Sequence, residues 1–168
     1  TICAWSANAN EIAKRWEKQA PPPLDRIEAA ATISKAGYET WIRIDPIFPV
    51  KGWKNQYEDL VYSIFSELEP DRIILGTPRG LWKTLYYAKK AGVDTSWIQF
   101  FGKEQTGWGK KLPFEQRKII YEFMYDKLTA IGFALTNISI CKETTSMWDI
   151  LGLKYSRSTC KCYNPQTS

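Results

Sequence analysis

Three times in this chain a helical stretch runs into a glycine and then into apolar, β-prone residues: at Ala36-Gly37-Tyr38, at Ala91-Gly92-Val93 and at Ile131-Gly132-Phe133. A glycine just past a helix closes the last turn in the left-handed conformation at little cost, and the chain can then turn back as a strand. The pattern predicts helix-then-strand units. Pro21-Pro22-Pro23 stops an earlier helix, and residues 24 to 35 place apolar side chains at 24, 27, 30, 31 and 33, one face of an amphipathic helix. Strands are expected near 1–6, 39–45 and 72–76, with a weaker one at 133–139. Strands alternating with helices make an α/β fold, a parallel sheet with right-handed βα units, because parallel neighbours need long crossovers. Four strands suit either a small open sheet or about half of a TIM-like barrel.

Residues 1–139 read as this partial α/β barrel and 140–168 as a C-terminal helix with a cysteine-containing tail. Between them the stretch 93–112 is expected to be an irregular loop, and a loop of that length in a compact domain is usually functional or disordered. At 168 residues one domain is the default, and no apolar run reaches the roughly 18–20 residues of a membrane span. The chain starts at Thr1 on a strand-like run, without Met or a leader, so it reads as a cytoplasmic fragment.

Composition removes several chemistries. With no His, imidazole is unavailable as base, triad member or metal ligand. Lys and Arg number 23 against 18 Asp and Glu, and the resulting +5 permits an anionic partner without requiring one. Cys3, Cys141, Cys160 and Cys162 are too few for a disulfide scaffold. Cys141, Cys160 and Cys162 offer three soft ligands for zinc or an iron–sulfur cluster, with reduced thiols as the plain alternative.

In parallel α/β folds, ligands sit beyond the C-terminal ends of the strands. Those ends are polar here: Trp5-Ser6-Ala7-Asn8, Arg43-Ile44-Asp45-Pro46 and Gly76-Thr77-Pro78-Arg79. Capping explains some of these residues equally well, with Ser6 or Asn8 capping a helix near 10–18 and Thr77 capping one near 78; an internal Arg43–Asp45 pair is a further alternative. Most aromatics, Tyr57, Tyr86 and Tyr121 among them, fit apolar helix faces. Trp53 beside Lys54, and Trp108 beside Lys110 and Lys111, sit among lysines and glycines and, with Arg79, are candidates for nucleic-acid contact; loop anchoring explains the same rings.

The run Trp5-Ser6-Ala7-Asn8, Arg15-Trp16-Glu17, Ala20-Pro21-Pro22, Arg26-Ile27, Ala36-Gly37 and Trp41-Ile42-Arg43-Ile44-Asp45-Pro46-Ile47 resembles the second half of radical S-adenosylmethionine enzymes, in particular the spore photoproduct lyase-like branch. Cys141-Lys142-Glu143 with Trp148, Leu151-Gly152-Leu153 and Cys160-Lys161-Cys162 is similar to C-terminal segments of that branch. The resemblance implies a half-barrel that binds S-adenosylmethionine through Ser6 and Asn8, Arg43 and Asp45, and Gly76 and Thr77. It also implies a [4Fe–4S] cluster held by a Cys-x3-Cys-x2-Cys motif that this chain lacks. The expected partner is therefore a cluster-bearing N-terminal half, without which the chain is inactive. Nucleic acid, self-association through open barrel edges, and a non-catalytic nucleic-acid-binding module remain as alternatives.

Overall fold

The computed structural model describes residues 1–153. Its central sheet holds β1 (Ile2–Ser6), β2 (Glu39–Ile44), β3 (Arg72–Leu75) and a last strand Ile138–Ile140, all parallel and in chain order across the sheet. Between β1 and β2 lie α1 (Asn10–Trp16) and α2 (Pro23–Lys35), and between β2 and β3 lies α3 (Trp53–Glu67). β4 (Arg79–Gly80), α4 (Trp82–Lys90), β5 (Gln105–Thr106), β6 (Gly109–Lys111) and α5 (Phe114–Ala130) follow, so Ile138–Ile140 is β7 and the short helix Thr145–Ile150 is α6. No helix among the described residues is long and apolar enough to cross a membrane.

The three glycines act alike. Gly37, Gly92 and Gly132 have φ of +86°, +64° and +88°. In each case the next residue's N–H reaches back five positions: Tyr38 to Ile33 O, Val93 to Ala88 O, and Phe133 to Leu128 O. These are closed helix C-termini. Only the first leads straight into a strand. After Gly92 the Asp94 carboxylate captures the Ser96 N–H at 2.7 Å and a short 3-10 segment, Ser96–Phe100, forms instead. After Gly132 another 3-10 turn, Leu135–Asn137, delays β7 to Ile138–Ile140, so the strand occupies only the end of the stretch 133–139. The stretch 93–112 is not structureless either: β4, β6 and β5 pair antiparallel as a small second sheet. Glycine permits it, because a Cβ on Gly109 would stand 2.6 Å from Gly80 O.

One face of the main sheet carries the core. Thr40, Ile42 and Ile44 of β2 are buried, as are Ile73 and Leu75 of β3 and Ile138 and Ile140 of β7. Ile27, Ala30 and Ala31 of α2, Tyr57, Leu60, Val61 and Ile64 of α3, and Ile120, Met124 and Leu128 of α5 join them in one cluster. The alternate residues face the other way. On that face Ser6 is level with Arg43, Arg43 with Ile74, and Ile74 with Ser139, a row running across all four strands. β1 is an edge strand on which Ile2, Ala4 and Ser6 are exposed.

Candidate functional site

Because the four strands run the same way, their C-terminal ends share one edge. Ser6, Asp45, Gly76, Thr77 and Cys141 close or directly follow these strands, so the convergence expected from the sequence is present. The polar groups along this edge divide into open and saturated ones.

At β1 the backbone is fixed from below. Arg26 donates to Ser6 O (3.1 Å), to Pro21 O (2.7 Å) and to Glu17 (2.7 Å). Asn8 donates to Glu17 (3.0 Å) and Pro46 O (3.1 Å) while its Oδ1 accepts from the Ala9 N–H (2.9 Å) and the Tyr57 hydroxyl (2.8 Å). Tyr57 in turn accepts from the Phe48 N–H at 2.9 Å. Burial is the main cause that pushes its phenol pKa far above the ordinary tyrosine value, so it stays a neutral donor. Asn8 is therefore a structural hub: it is buried and its amide is used on both ends. The Ser6 side chain is the opposite. It is exposed, and its hydroxyl makes no hydrogen bond among the described residues.

Asp45 sits between two arginines. Arg79 Nη2 lies 3.0 Å from both carboxylate oxygens and Arg43 Nη2 lies 3.5 Å from Oδ2. The main partner of Asp45 is thus Arg79, with Arg43 second. Burial is the largest single influence and works to lower the Arg79 pKa, but the charge and the hydrogen bonds of Asp45, with smaller contributions from Cys141 and Tyr121, together outweigh it and raise the pKa. Arg43 also donates to Cys141 Sγ at 3.2 Å. Gly76 is what lets this happen: a Cβ there would meet the Asp45 carboxylate at 2.4 Å. The close approach expected of an adenine is made by the protein's own carboxylate, and Asp45, 5% exposed, is spent on the two arginines.

Thr77 turns inward. Its hydroxyl donates to Glu143 Oε1 (3.1 Å), which also accepts from Tyr121 (2.9 Å), while Glu143 Oε2 faces Arg117 Nη1 (3.1 Å) and Lys111 Nζ (3.5 Å). Arg117 reaches on to Glu104 at 2.7 Å, and Lys111 donates to Lys142 O at 2.6 Å. Thr77, Glu143, Tyr121, Arg117 and Lys111 are all buried. Burial first, then repulsion from Arg117 and Arg79, lowers the Lys111 pKa against the pull of Glu143. Tyr121 is held well above the ordinary tyrosine value by burial and the Glu143 charge. Thr77 accordingly belongs to a buried ionic network; it caps no helix, since α4 begins only at Trp82, after β4.

The nucleic-acid candidates also divide. Trp53 opens α3 and packs edge-on to Phe123 of α5 (centroids 5.0 Å apart), so it is a packing residue. Lys54 lies over the same two rings, at 5.9 Å from Trp53 and 5.6 Å from Phe123. Lys111 is fully buried and committed. Trp108 stays half-exposed beneath the Lys142 ammonium at 5.3 Å, and only Lys110 of that run is open to solvent. Tyr86, expected on an apolar face, is 55% exposed.

Sequence reasoning missed Glu143, Arg117 and Tyr121 as members of the rim. A signal existed for one of them: Arg117 stands three and four residues before Ile120 and Tyr121, on the buried face of α5.

Among the described residues no three His, Cys, Asp or Glu could hold a metal. Cys3 is on β1 and Cys141 follows β7, three strand spacings or about 14 Å across the sheet and further along it besides. Cys160 and Cys162 lie outside the described residues. The described residues do not fit an iron–sulfur cluster. They do suit a small polar ligand, because the exposed Ser6 hydroxyl and the half-exposed Arg43 stand side by side at the ends of β1 and β2; Ser139 continues the row but is fully buried, and its Oγ has no hydrogen-bond partner among the described residues.

Comparison with known proteins points one way. Residues 1–74 match the family model described as spore photoproduct lyase. The chain is 34% identical over 61 residues to the spore photoproduct lyase of Clostridium acetobutylicum, covering 36% of this chain and 18% of that protein. It is 34% identical over 67 residues to that of Bacillus subtilis, covering 40% and 20%. Its fold is similar to that of a spore photoproduct lyase complexed with dinucleoside spore photoproduct, with a TM-score of 0.66 at 16% identity, over 83% of this chain and 44% of that one. A double mutant of the lyase with bound AdoMet and the same dinucleoside matches equally, at a TM-score of 0.66. Less than half of each solved lyase, and about a fifth of each curated one, is represented.

Proposed function

We propose that this chain, a spore photoproduct lyase-like part-barrel, forms part of the strand-end rim of a radical S-adenosylmethionine enzyme, working only together with a cluster-bearing N-terminal half. The observation that carries this is the pair Ser6 and Arg43: a hydroxyl open to solvent and a half-exposed guanidinium side by side at the ends of β1 and β2, on the face away from the helices.

In this reading Ser6 contacts a ribose or carboxylate oxygen of the cofactor and Arg43 pairs with its carboxylate, while Asp45, itself fixed by Arg79, and Cys141 hold the Arg43 guanidinium in place. Gly76 and Thr77 support the rim and do not touch the cofactor. When bound, S-adenosylmethionine supplies such an enzyme with its 5′-deoxyadenosyl radical. The protein's share is orientation and exclusion of water. That one solved relative holds AdoMet and a dinucleoside together supports a nucleobase-bearing substrate at the same rim. The cluster belongs to the partner half, whose last strand would extend the sheet along the outer edge of β1, where exposed Ile2 and Ala4 offer a surface for it.

The test is to purify the chain anaerobically with and without a cluster-bearing half supplied in trans, and to assay reductive cleavage of S-adenosylmethionine. 5′-Deoxyadenosine is expected only from the combination. Equal cleavage by the cluster-bearing half alone would remove this chain from the reaction.

A further inference from the structure

Between Gly80 and Gly102 the chain leaves the domain and returns to the same place. Residues 82–101 hold α4 and the 3-10 segment Ser96–Phe100, and no residue of the stretch is buried. Its two ends meet on β6: Gly80 pairs with Lys110, and the Gly102 N–H donates to Lys111 O at 2.8 Å. A stretch anchored at two neighbouring points, with nothing buried in between, has the form of a flap on a hinge. The hinge is tight, because a Cβ on Gly80 would stand 2.7 Å from the Phe101 ring.

The far end of the flap is fastened at one place. Asp94 accepts from Arg15 Nε (3.2 Å) and Trp16 Nε1 (3.1 Å) of α1, and Ser96 Oγ accepts from Arg15 Nη2 (2.8 Å). These are the side-chain hydrogen bonds that join 82–101 to the rest of the domain among the described residues, and the ion pair in them is exposed, so it holds only weakly. Ring contacts add to it: Trp97, Phe100 and Phe101 are partly buried against the core, and Phe100 lies 6.4 Å from Trp16 and 6.3 Å from Phe48. Few buried contacts and an exposed tether distinguish segments that open by themselves from those that unfold only with the whole domain.

What the flap covers is the strand-end rim. Leu81, Thr84 and Trp97 line a groove of about 340 Å³ together with Phe48, Arg79 and Lys142. That volume suits a small ligand. Phe48, beside Phe100, is only 6% exposed while the flap is down.

We propose that residues 82–101 are a lid that opens as one unit about Gly80 and Gly102, is latched to α1 through Asp94, and gates access to the rim groove. The lid works the same way whatever ligand the rim takes, so it stands or falls apart from the S-adenosylmethionine reading.

The test is hydrogen exchange on the full chain, resolved to single amides, for wild type, Asp94→Ala at the latch and Gly80→Ala at the hinge. In wild type the amides of α4 and those of Ile98 and Phe101 should exchange at least a hundredfold faster than the amides of β2 and β3, with little response to urea below the unfolding transition. Asp94→Ala should speed α4 and the 3-10 segment together, by about tenfold, although α4 itself makes no contact with Asp94 through a side-chain hydrogen bond. Gly80→Ala should speed the same set from the other end; Asp94 is an exposed side chain, so its variant carries the comparison alone if Gly80→Ala does not fold. Hydroxyl-radical oxidation of Phe48 should rise at least twofold in Asp94→Ala. Lid amides as slow as those of the strands overturn the proposal, and so does acceleration of the 3-10 segment that leaves α4 unchanged. Constant Phe48 oxidation in Asp94→Ala overturns it as well, because the segment would then loosen without uncovering the groove.

Discussion

The two sides of the strand-end rim are built from the same kinds of residue and put them to opposite uses. At the β1–β2 side the polar groups below the rim are saturated by Arg26, Glu17, Asn8 and Tyr57, while at its surface the Ser6 hydroxyl is exposed and Arg43, paired with Asp45 and Cys141, stays half-exposed. At the β3–β7 side Thr77, Tyr121, Glu143, Arg117 and Lys111 turn toward one another in the interior. A hydroxyl at a strand end is thus not by itself a ligand group. Ser6 and Thr77 both stand at strand ends of one rim, and the partners supplied by distant segments decide which of them is left open to solvent and which is buried. On the first side those partners come from α2, α3 and the loops flanking α1, within the stretch that matches the lyase family; on the second they come from α5 and the segment after β7.

The largest effect should come from the saturated side. Glu143→Ala leaves Arg117 and Lys111 facing each other in the interior, and breaking a buried ion pair by removing one partner costs about 3–5 kcal/mol. Urea denaturation should show this as a lower midpoint, and a change below about 1 kcal/mol would mean that the network is hydrated and not structural. Next comes Gly76→Ala. Its methyl group would displace the Asp45 carboxylate, freeing both Arg79 and Arg43, at about 1–3 kcal/mol by analogy with other overpacking changes. Because this substitution couples the two sides, it should also weaken ligand binding, and a stable variant with full affinity would separate them. On the open side, Tyr57→Phe removes the hydroxyl that joins Asn8 to the Phe48 N–H and should cost about 1–2 kcal/mol in the same denaturation experiment.

The smallest effect is on pH. Asp94, just before the 3-10 segment Ser96–Phe100, accepts from Ser96 and from Arg15 and Trp16 of α1, which hold its carboxyl well below the usual carboxylate range. A depressed pKa means that the folded state binds the proton less readily than the unfolded chain does. The stabilisation is therefore complete above the ordinary value of 3.8 and fades as pH falls from there toward the depressed one. The difference between wild type and Asp94→Asn in thermal melts should shrink over that window, and a difference that stays constant to the lowest pH would refute the assignment.

The strand-end rim is legible in the sequence because it depends on local signals. Gly37, Gly92 and Gly132 mark the helix ends, and Ser6, Asp45 and Thr77 mark the strand ends. What lies beyond reach is the pairing across long separations. Nothing near Asp45 announces that Arg79, 34 residues on, will take both its oxygens, or that Glu143 will close over Thr77 from 66 residues away. The same holds for Lys111, which reads as a solvated loop lysine until β6 carries it into the interior, and for Tyr86, whose helix has the right period but no neighbour to cover it. The small sheet of β4, β6 and β5 is illegible for a related reason: its strands are two or three residues long, too short for any alternation to register.

The central claim is that Ser6 serves a ligand and Thr77 serves the fold. The measurement that bears on it most directly is calorimetric titration of S-adenosylmethionine into the protein combined with its cluster-bearing half, for Ser6→Ala and Thr77→Ala side by side with their unfolding free energies. Ser6→Ala should weaken binding about tenfold, the worth of one hydrogen bond of about 1.4 kcal/mol, with stability changed by less than about 0.5 kcal/mol. Thr77→Ala should lower stability by about 1–2 kcal/mol and leave the affinity unchanged. Affinity reduced in Thr77→Ala but kept in Ser6→Ala would contradict the account.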